Sequence, residues 1–419
     1  MKNYEAFFLN NNRMFTNKKS SILNIIKKYL GSSLSPIPNA YAHLETYPPL
    51  DDEPEFLHEV WYDNLDYDYA NIYFKENYKP KDLGACSGIR VGNIVGRNFD
   101  WYYDNSAEFI VHTPNRYGLK KTIGVASMVP NLDQAKVETH EYSDSYRILP
   151  FLILDGINED GLVVQKNVVP KEHGDNRIVN KGAAVSVCAP CLTRYLLDHY
   201  SSVDEVVEAL CGTDTQEPVI EVYTAKYLEN INEELHFMIS DKNGSVIIEF
   251  IDGKAVPHYS SEINPIMTNF HIHGVEFNDK GEVAAIGGDV KPTDTGITPK
   301  AAGLERYNIL VNGKNDVNTV SDMENLMSKI VYTNAYKLGN WYSEFTGDYL
   351  YPGISFSLTV DNDPEDFEPA IAVAKKMFEN RSRETADTWQ TVHTSVYDID
   401  AQKLYVKNQE KGEFESYDL

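Results

Sequence analysis

The stretch KDLGACSGIRVGNIVGRNFDW, residues 81–101, decides how the rest of the chain is interpreted. Two short segments, SGIRVGN and NIVGRNFDW, meet at a Gly-Asn pair, and this pattern predicts an antiparallel hairpin. Cys86 stands just before the first segment, and the polar cluster GRNFD closes the second. A core strand does not need such a cluster at its end. The stretch therefore poses a choice between a buried, inert Cys86 and a nucleophilic one.

Other hairpins and helices alternate along the chain from Ser87 onward. Alternating apolar segments around turn residues predict three further hairpins, at 153–169, 235–256 and 395–406. Apolar residues at helical spacing predict helices within 191–212, 299–313 and 319–332; the first has a Ser-x-x-Asp start at Ser201 and a Gly stop at Gly212. Hairpins that enclose blocks of helix predict antiparallel sheets covered by helices, a layered α+β fold.

The N-terminal part of the chain has a different texture. Residues 1–35 contain an amphipathic pattern and are predicted to be helical, and a Pro-rich connector follows. Residues 55–80 are aromatic and acidic and are also predicted to be helical. The prediction is thus an N-terminal helical segment in front of the layered fold.

Composition restricts the partners. The formal net charge of −25 argues against nucleic acid and against an anionic membrane surface, since phosphate would be repelled. The sequence contains no run of eighteen apolar residues, so no membrane span is predicted. The N-terminus lacks the uninterrupted apolar segment of a signal peptide, which favours a cytoplasmic location, with export by another route left open.

The four cysteines are too few for a disulfide scaffold in 419 residues. The CAPC pair, Cys188 and Cys191, has no second CxxC and no His pair at ligand spacing, so it is predicted to begin a helix rather than to bind zinc. No metal and no organic cofactor are expected.

A catalytic Cys86 would need a base, because a free thiol is only slightly ionised at neutral pH. His112 and His140 carry no local signature of a papain-like partner. Cleavage of the Ala85–Cys86 peptide bond would supply another base, the α-amine of Cys86 itself, whose ordinary pKa lies near 8. Gly84 and Ala85 add no bulk before the thiol, as a strained, self-cleaving bond requires.

The stretch CSGIRVGNIVGRNFDW resembles the start of the mature chain in the choloylglycine hydrolase-like family of N-terminal-nucleophile (Ntn) hydrolases. These linear amide C–N hydrolases include bile salt hydrolases, penicillin V acylases and, more distantly, acid ceramidase. Further segments resemble the family in the same order along the chain: DGINEDGLVVQKNVVP (155–170), LHFMISDKNGSVIIEF (235–250), NPIMTNF (264–270), GLERYNIL (303–310) and WQTVHTSVYDIDAQKLYV (389–406). The resemblance implies a four-layer αββα sandwich of two stacked antiparallel sheets, with residues 86–419 as the catalytic domain.

The resemblance also implies roles for individual residues. Cys86 would attack the amide carbonyl while its own amine moves the proton, and the Asn167 side chain with a backbone amide would bind the oxyanion. Arg97 would lower the pKa of the thiol, and Asp100 would anchor the new ammonium group. Asn269 would orient the amine, and Arg306 would balance the buried charges.

Structural interpretations stand beside these roles. Arg97 and Asp100 could form a plain ion pair at a strand end, Asn269 could cap a turn, and Arg306 could be an ordinary helix-surface residue. The aromatic run at 101–104 could pack the core or line an acyl pocket.

Residues 1–85 match nothing in the resemblance and are predicted to be a propeptide or a retained small subunit, released from Cys86 by self-cleavage. The predicted function is hydrolysis of a small-molecule N-acyl amide. The alternatives are an acyltransferase of the same chemistry, a bile salt hydrolase or penicillin V acylase proper, and a non-catalytic binding protein that retains the fold. A homo-oligomer is compatible with the resemblance.

Overall fold

The chain is described by a computed structural model over residues 43–44, 57–65, 67, 70, 73, 85–102, 108–116, 118–127, 148–224, 233–286, 303–331, 349–351, 354–356, 389–408 and 412–419. Its strands are β1 (His43–Leu44), β2 (Leu57–Asn64), β3 (Ala85–Val91), β4 (Ile94–Tyr102), β5 (Glu108–Thr113), β6 (Thr122–Ala126), β7 (Ile153–Asn158), β8 (Val163–Pro170), β9 (Ile178–Val179), β10 (Val185–Cys188), β11 (Ile220–Tyr223), β12 (Glu233–Asp241), β13 (Gly244–Ile251), β14 (Lys254–Tyr259), β15 (Ile266–Met267), β16 (Val275–Phe277), β17 (Val283–Ile286), β18 (Tyr349–Tyr351), β19 (Ile354–Phe356), β20 (Trp389–Asp398), β21 (Lys403–Asn408) and β22 (Glu415–Asp418). Its α-helices are α1 (Leu192–His199), α2 (Val203–Cys211), α3 (Leu304–Gly313) and α4 (Val320–Ser328), with 3-10 turns at Leu149–Phe151, Ala189–Cys191 and Lys314–Asp316.

Two large sheets form the centre of the described structure. The nine-stranded sheet has the order β1-β2-β5-β6-β7-β8-β12-β13-β14. The six-stranded sheet has the order β15-β3-β4-β20-β21-β22 and is antiparallel throughout. Strand β3, which begins at Ala85 and carries Cys86, is therefore an inner strand of the smaller sheet, between β15 and β4.

The sheets are stacked, and each is covered by helices. Helices α1 and α2 pack on the nine-stranded sheet, α3 and α4 pack on the six-stranded sheet, and β3 contacts β8 across the interface between the sheets. One apolar core lies between the nine-stranded sheet and its helices, and a second core joins the two sheets to α3 and α4. The predicted αββα layers are confirmed.

The local signals in the sequence explain most of these elements. The β3–β4 hairpin turns at Gly92, whose φ of +57° lies in the left-handed region that glycine adopts without steric cost. The predicted hairpins β7–β8, β12–β13 and β20–β21 are all present. Helix α2 is capped by Ser202, whose side chain accepts a hydrogen bond from the backbone N–H of Glu205, one residue later than the predicted start at Ser201.

The CAPC segment begins a helix, as predicted. Cys188 ends β10, the 3-10 turn Ala189–Cys191 follows, and α1 continues from it. All four cysteines of the chain are free thiols.

The prediction of a helix over residues 55–80 is wrong for Leu57–Asn64, which form β2. Val60 and Tyr62 are buried while Glu59 and Trp61 are partly exposed, so burial alternates with the period of a strand. Strand β2 pairs in parallel with β5 and so extends the nine-stranded sheet. The predicted helix over residues 1–35 lies outside the described residues.

Candidate active site

Cys86 is the second residue of β3 and is buried, with 3% of its surface exposed. Its three polar atoms are each held by a different residue. The Arg97 Nη2 donates to Sγ at 3.2 Å, the backbone N–H donates to Asn269 Oδ1 at 3.0 Å, and the backbone carbonyl accepts from Arg306 Nη1 at 2.6 Å. The structure therefore brings Arg97, Asn269 and Arg306 together around Cys86.

Arg97 lies on β4, fully buried beside the thiol. Its Nη2 also donates to the backbone carbonyl of Lys166 on β8, at 3.0 Å. Its Nη1 lies 3.0 Å from Asp155 Oδ2 on β7. The guanidinium is thus held by the nine-stranded sheet while it contacts the thiol of the six-stranded sheet.

Asn269 follows β15 and has a fixed orientation. Its Nδ2 donates to the carbonyl of Val168 at 2.8 Å, and its Oδ1 accepts from Cys86 and from Arg306 Nη2, the latter at 2.6 Å. Because a donor faces the carbonyl on one side and two donors face Oδ1 on the other, the hydrogen bonds determine which end is oxygen. Asn269 therefore presents an acceptor to the nitrogen of Cys86.

Arg306 is in the first turn of α3 and reaches back to β3. Besides the Cys86 carbonyl, its Nη1 donates to Ser87 Oγ at 2.5 Å and lies 3.4 Å from Asp100 Oδ2. Helix α3 is preceded by Gly303, which has φ +83°, and a Cβ at that position would lie 2.6 Å from Arg306 Nη2. Glycine is thus required for the helix start and for the path of the Arg306 side chain.

Asp100 is buried on β4 and contacts both Arg306 and Thr391. Its Oδ1 accepts from Thr391 Oγ1 at 2.5 Å, and Oδ2 faces Arg306. Burial raises the pKa of Asp100 to about 6, against the lowering effect of Arg306, Thr391 and Arg97. The predicted role of Asp100 as the anchor of an ammonium group stays a prediction.

The thiol of Cys86 is not spontaneously ionised in this environment. Burial raises its pKa above the ordinary value, and the positive charges of Arg97 and Arg306 oppose that rise, whereas Asp100 adds to it. A nucleophile in this state needs a base that removes its proton at the moment of attack.

Asn167 lies on β8 with its donors engaged. Its Nδ2 donates to the carbonyls of Met267 and Thr268, at 3.1 Å and 3.3 Å, and its buried Oδ1 has no hydrogen-bond partner. The amide nitrogen is therefore engaged by two carbonyls, so an oxyanion role requires this side chain to reorient. That role stays a prediction.

The segment that carries Asn269 is braced from behind by a buried carboxylate. Glu249 accepts from the backbone N–H groups of Ile272 and His273, both at 2.8 Å, and pairs with His236 Nδ1 at 3.2 Å. His236 in turn donates from Nε2 to the carbonyl of Thr268 at 3.0 Å. Burial alone would raise the pKa of Glu249, but hydrogen bonds from its histidine neighbours hold it well below the ordinary value.

Several residues of the site were not predicted from the sequence: Ser87, Asp155, Thr391 and His393. Asp155 is the residue for which a signal existed, because an isolated carboxylate in the apolar strand ILDGIN needs a buried partner. Thr391 and His393 lie about three hundred positions from their partners, Asp100 and Glu108, and no local pattern marks them.

Within the described ranges, no group of three His, Cys, Asp or Glu side chains is arranged to hold a metal ion. No helix in that same part of the chain is long and apolar enough to cross a membrane.

The stacked sheets, with a cysteine at the start of an inner strand, have the layered architecture predicted from the sequence. Residues 86–275 match the model of the linear amide C–N hydrolases, choloylglycine hydrolase family. This match confirms the resemblance over that segment.

Individual relatives are similar over different lengths. A penicillin V acylase from Pectobacterium atrosepticum is 37% identical over 119 residues, which are 27% of this chain and only 29% of that protein. A mutant of the conjugated bile acid hydrolase from Clostridium perfringens is 16% identical, with a TM-score of 0.44 over 80% of this chain and 92% of its own. Penicillin V acylase from Agrobacterium tumefaciens is 15% identical, with a TM-score of 0.35 over 80% of this chain and 86% of its own.

Proposed function

We propose that this protein hydrolyses the linear amide bond of a small-molecule N-acyl substrate, with Cys86 as an N-terminal nucleophile that is exposed by cleavage after Ala85. The proposal rests on two separate contacts to Cys86, one at its backbone nitrogen and one at its sulfur. Asn269 holds the nitrogen of Cys86 at 3.0 Å, and Arg97 contacts its sulfur at 3.2 Å.

The nitrogen becomes the base once the Ala85–Cys86 bond is broken. A free α-amine has a pKa near 8, so a substantial fraction is neutral at the pH of a cell. Asn269 Oδ1 accepts one N–H of that amine, which leaves the lone pair to be directed elsewhere. The amine then takes the proton of Sγ during attack on the acyl carbon and returns it to the leaving nitrogen.

The charged residues stabilise the charges that develop. Arg97 favours the thiolate, and Arg306 neutralises Asp100 while it fixes the backbone carbonyl of Cys86. The tetrahedral intermediate also needs hydrogen-bond donors at its oxygen, for which a reoriented Asn167 and a backbone amide are the proposed sources. The thioester then reacts with water to release the acid.

Self-cleavage uses the same nucleophile. Cys86 Sγ attacks the carbonyl of Ala85, the acyl group moves from nitrogen to sulfur, and water hydrolyses the thioester. One new chain then begins at Cys86, and residues 1–85 become a separate polypeptide.

The segment before Cys86 is proposed to stay bound as a small subunit. Strand β2 is part of the nine-stranded sheet, and Val60 and Tyr62 are buried in its core. The Tyr67 hydroxyl donates to Asp198 of α1, which pairs with Arg194. Release would expose these apolar side chains, at a cost of about 25 cal/mol per Å² of apolar surface.

An acyltransferase of the same family is the second candidate, because a thioester can react with an amine as well as with water. The bile salt hydrolase and penicillin V acylase activities are subclasses of the proposed reaction. A non-catalytic protein with this fold would have no use for the arginine at the thiol.

A panel of N-acyl amides tests the proposal, assayed with wild type, Cys86→Ala and the matched control Cys211→Ala. Cys211 lies at the end of α2 and packs against the core between the nine-stranded sheet and its helices. We expect wild type and Cys211→Ala to release the amine from at least one bile salt, penicillin V or N-acyl amino acid, and Cys86→Ala to release none. Products formed with added amines separate transfer from hydrolysis. Equal activity of Cys86→Ala would refute the proposal.

A further inference from the structure

A row of buried groups with alternating charge extends from the thiol into the interface between the two sheets. It consists of Arg97, Asp155, His393 and Glu108, which come from four different strands and are all at most 1% exposed. We propose that His393 is a positioning residue. Its positive charge attracts the carboxylate of Asp155, so Asp155 compensates less of the charge of Arg97, and more of that charge acts on the thiolate of Cys86. This inference rests on the proposed function, in which Cys86 Sγ is the nucleophile.

Arg97 contacts both Asp155 and the thiol of Cys86. Arg97 Nη1 lies 3.0 Å from Asp155 Oδ2, while Nη2 is at 3.2 Å from Cys86 Sγ. The Asp155 Oδ1 is occupied separately, by the hydroxyl of Tyr397. One guanidinium is therefore shared between a permanent anion and a thiol that becomes an anion during the reaction.

His393 lies between two carboxylates, those of Glu108 and Asp155. Its Nδ1 donates to Glu108 Oε1, and its Nε2 lies 3.9 Å from Asp155 Oδ2. Because both ring nitrogens face carboxylate oxygens, the imidazolium is the form that suits the site. Burial alone would lower the pKa of His393, but Glu108 and Asp155 outweigh it and raise the pKa to about 9.

The groups that face His393 come from each element packed against it. Glu108 on β5 is fixed by Asn408 Nδ2 at 2.8 Å, and Asp155 on β7 carries Arg97 beyond it. Asp100 on β4 also interacts electrostatically with His393, which lowers the pKa of Asp100. The ring of Phe99 lies against the imidazole at a centroid distance of 5.3 Å.

His393 and Arg97 compete for the carboxylate of Asp155. With His393 positively charged, the negative charge of Asp155 is divided between two cations, and Arg97 keeps more of its field at the sulfur. With a neutral residue in place of His393, Asp155 compensates Arg97 more completely, and a nearby positive charge is lost as well. Both effects disfavour the thiolate, so they act in the same direction.

The test is a titration of Cys86 in the full chain, with processing checked by intact mass. The thiolate absorbance is measured against pH as the difference between each variant and the same variant carrying Cys86→Ala. His393→Asn keeps a donor near the Nδ1 position but cannot be charged. The control is His112→Gln, which removes another histidine that is bonded to a glutamate. His112 Nε2 lies 2.7 Å from Glu59 Oε1, and neither residue belongs to the row of buried charges.

We expect His393→Asn to raise the pKa of the Cys86 thiol by about half a unit or more, and His112→Gln to leave it unchanged. Removal of one partner of a buried pair can prevent folding. The double variant Glu108→Gln/His393→Asn removes both charges of that pair, and we expect a shift in the same direction.

An unchanged thiol titration in both folded variants would overturn the inference. Amide hydrolysis by wild type is measured separately, so the two failures are distinguishable. A shifted titration without any amidase activity would contradict the proposed function alone. Amidase activity with an unshifted titration would contradict the role of His393 alone.

Discussion

The Oδ1 atom of Asn269 lies 3.0 Å from the backbone nitrogen of Cys86 and 2.6 Å from Arg306 Nη2. One acceptor thus links the proposed base to the arginine that holds the Cys86 carbonyl. The relationship fixes the position of the nitrogen before the bond to Ala85 is cleaved, because Asn269 is itself held by Val168. The residues around Cys86 are therefore arranged as the proposed α-amine base would require.

Substitution Asn269→Ala should uncouple the amine from the thiol. We expect a loss of about 10²-fold in kcat/KM, because a misplaced reacting group costs rate far more than stability. The matched control is Asn278→Ala, in an exposed turn. Amide hydrolysis measured at saturating and at low substrate checks this, and a variant with full kcat would contradict the role of Asn269.

Substitution Gly303→Ala should displace Arg306. A Cβ at Gly303 would lie 2.6 Å from Arg306 Nη2 and 2.9 Å from Thr268 Cβ. The control is Gly118→Ala, which has a similar φ of +79° with nothing within 4 Å of the added Cβ. Both variants should lose about 1 kcal/mol of stability from backbone strain, and only Gly303→Ala should lose activity, by about tenfold or more. Equal activities of the two variants would show that the path of Arg306 does not matter.

The pH dependence of hydrolysis should show an acidic limb near pH 8 from the α-amine and, at lower pH, a second one set by Asp100. Its pKa is raised to about 6, so below that pH the carboxyl is neutral and no longer balances Arg306. We expect kcat/KM to increase with pH through about 6. The measurement is a pH profile of kcat/KM for wild type. A profile with no change of slope near pH 6 would contradict the assignment.

His393 should make stability fall in alkaline solution. Its pKa is raised in the folded protein, to about 9 from an ordinary value near 6.5. A raised pKa means that the contribution is complete below about pH 6.5 and is lost as the pH increases through about 9. Urea unfolding of wild type should show a decrease on the order of 3 kcal/mol across that window. His393→Asn should lack that component, and an identical pH dependence in the two proteins would contradict it.

The small-subunit proposal predicts that residues 1–85 remain with the rest after cleavage. The two pieces should elute together in size-exclusion chromatography and separate only in denaturant. Tyr67→Phe removes the donor to Asp198 and should weaken retention by about 1–3 kcal/mol. Elution of the large piece alone from wild type would refute retention.

Much of the layered fold could be predicted because its information is local. Turn residues such as Gly92 and Gly212 lie in the left-handed region, where the sequence pattern places a turn or a helix end. Strand β2 was mistaken for a helix, because its aromatic residues do not reveal the distant partner β5 that makes it a strand. The environment of each site residue was equally hidden, since Glu108 and His393 are 285 positions apart.

Around the nucleophile, the resemblance supplied Arg97, Asn269 and Arg306, and the contacts to Cys86 bring these three together. It did not supply Asp155, which contacts Arg97 from the other sheet, or His393, which lies on β20 beside β4 and faces Asp155. The N–H groups of Asn167 depend in the same way on the backbone path of Met267 and Thr268, which sequence patterns do not specify.

The most direct test of the central claim is the intact mass of purified wild type together with the N-terminal sequence of its large fragment. We expect two polypeptides, the larger beginning at Cys86, and a Cys86→Ala variant that remains one chain. A single wild-type species of 47.5 kDa that persists and still hydrolyses an amide would contradict it.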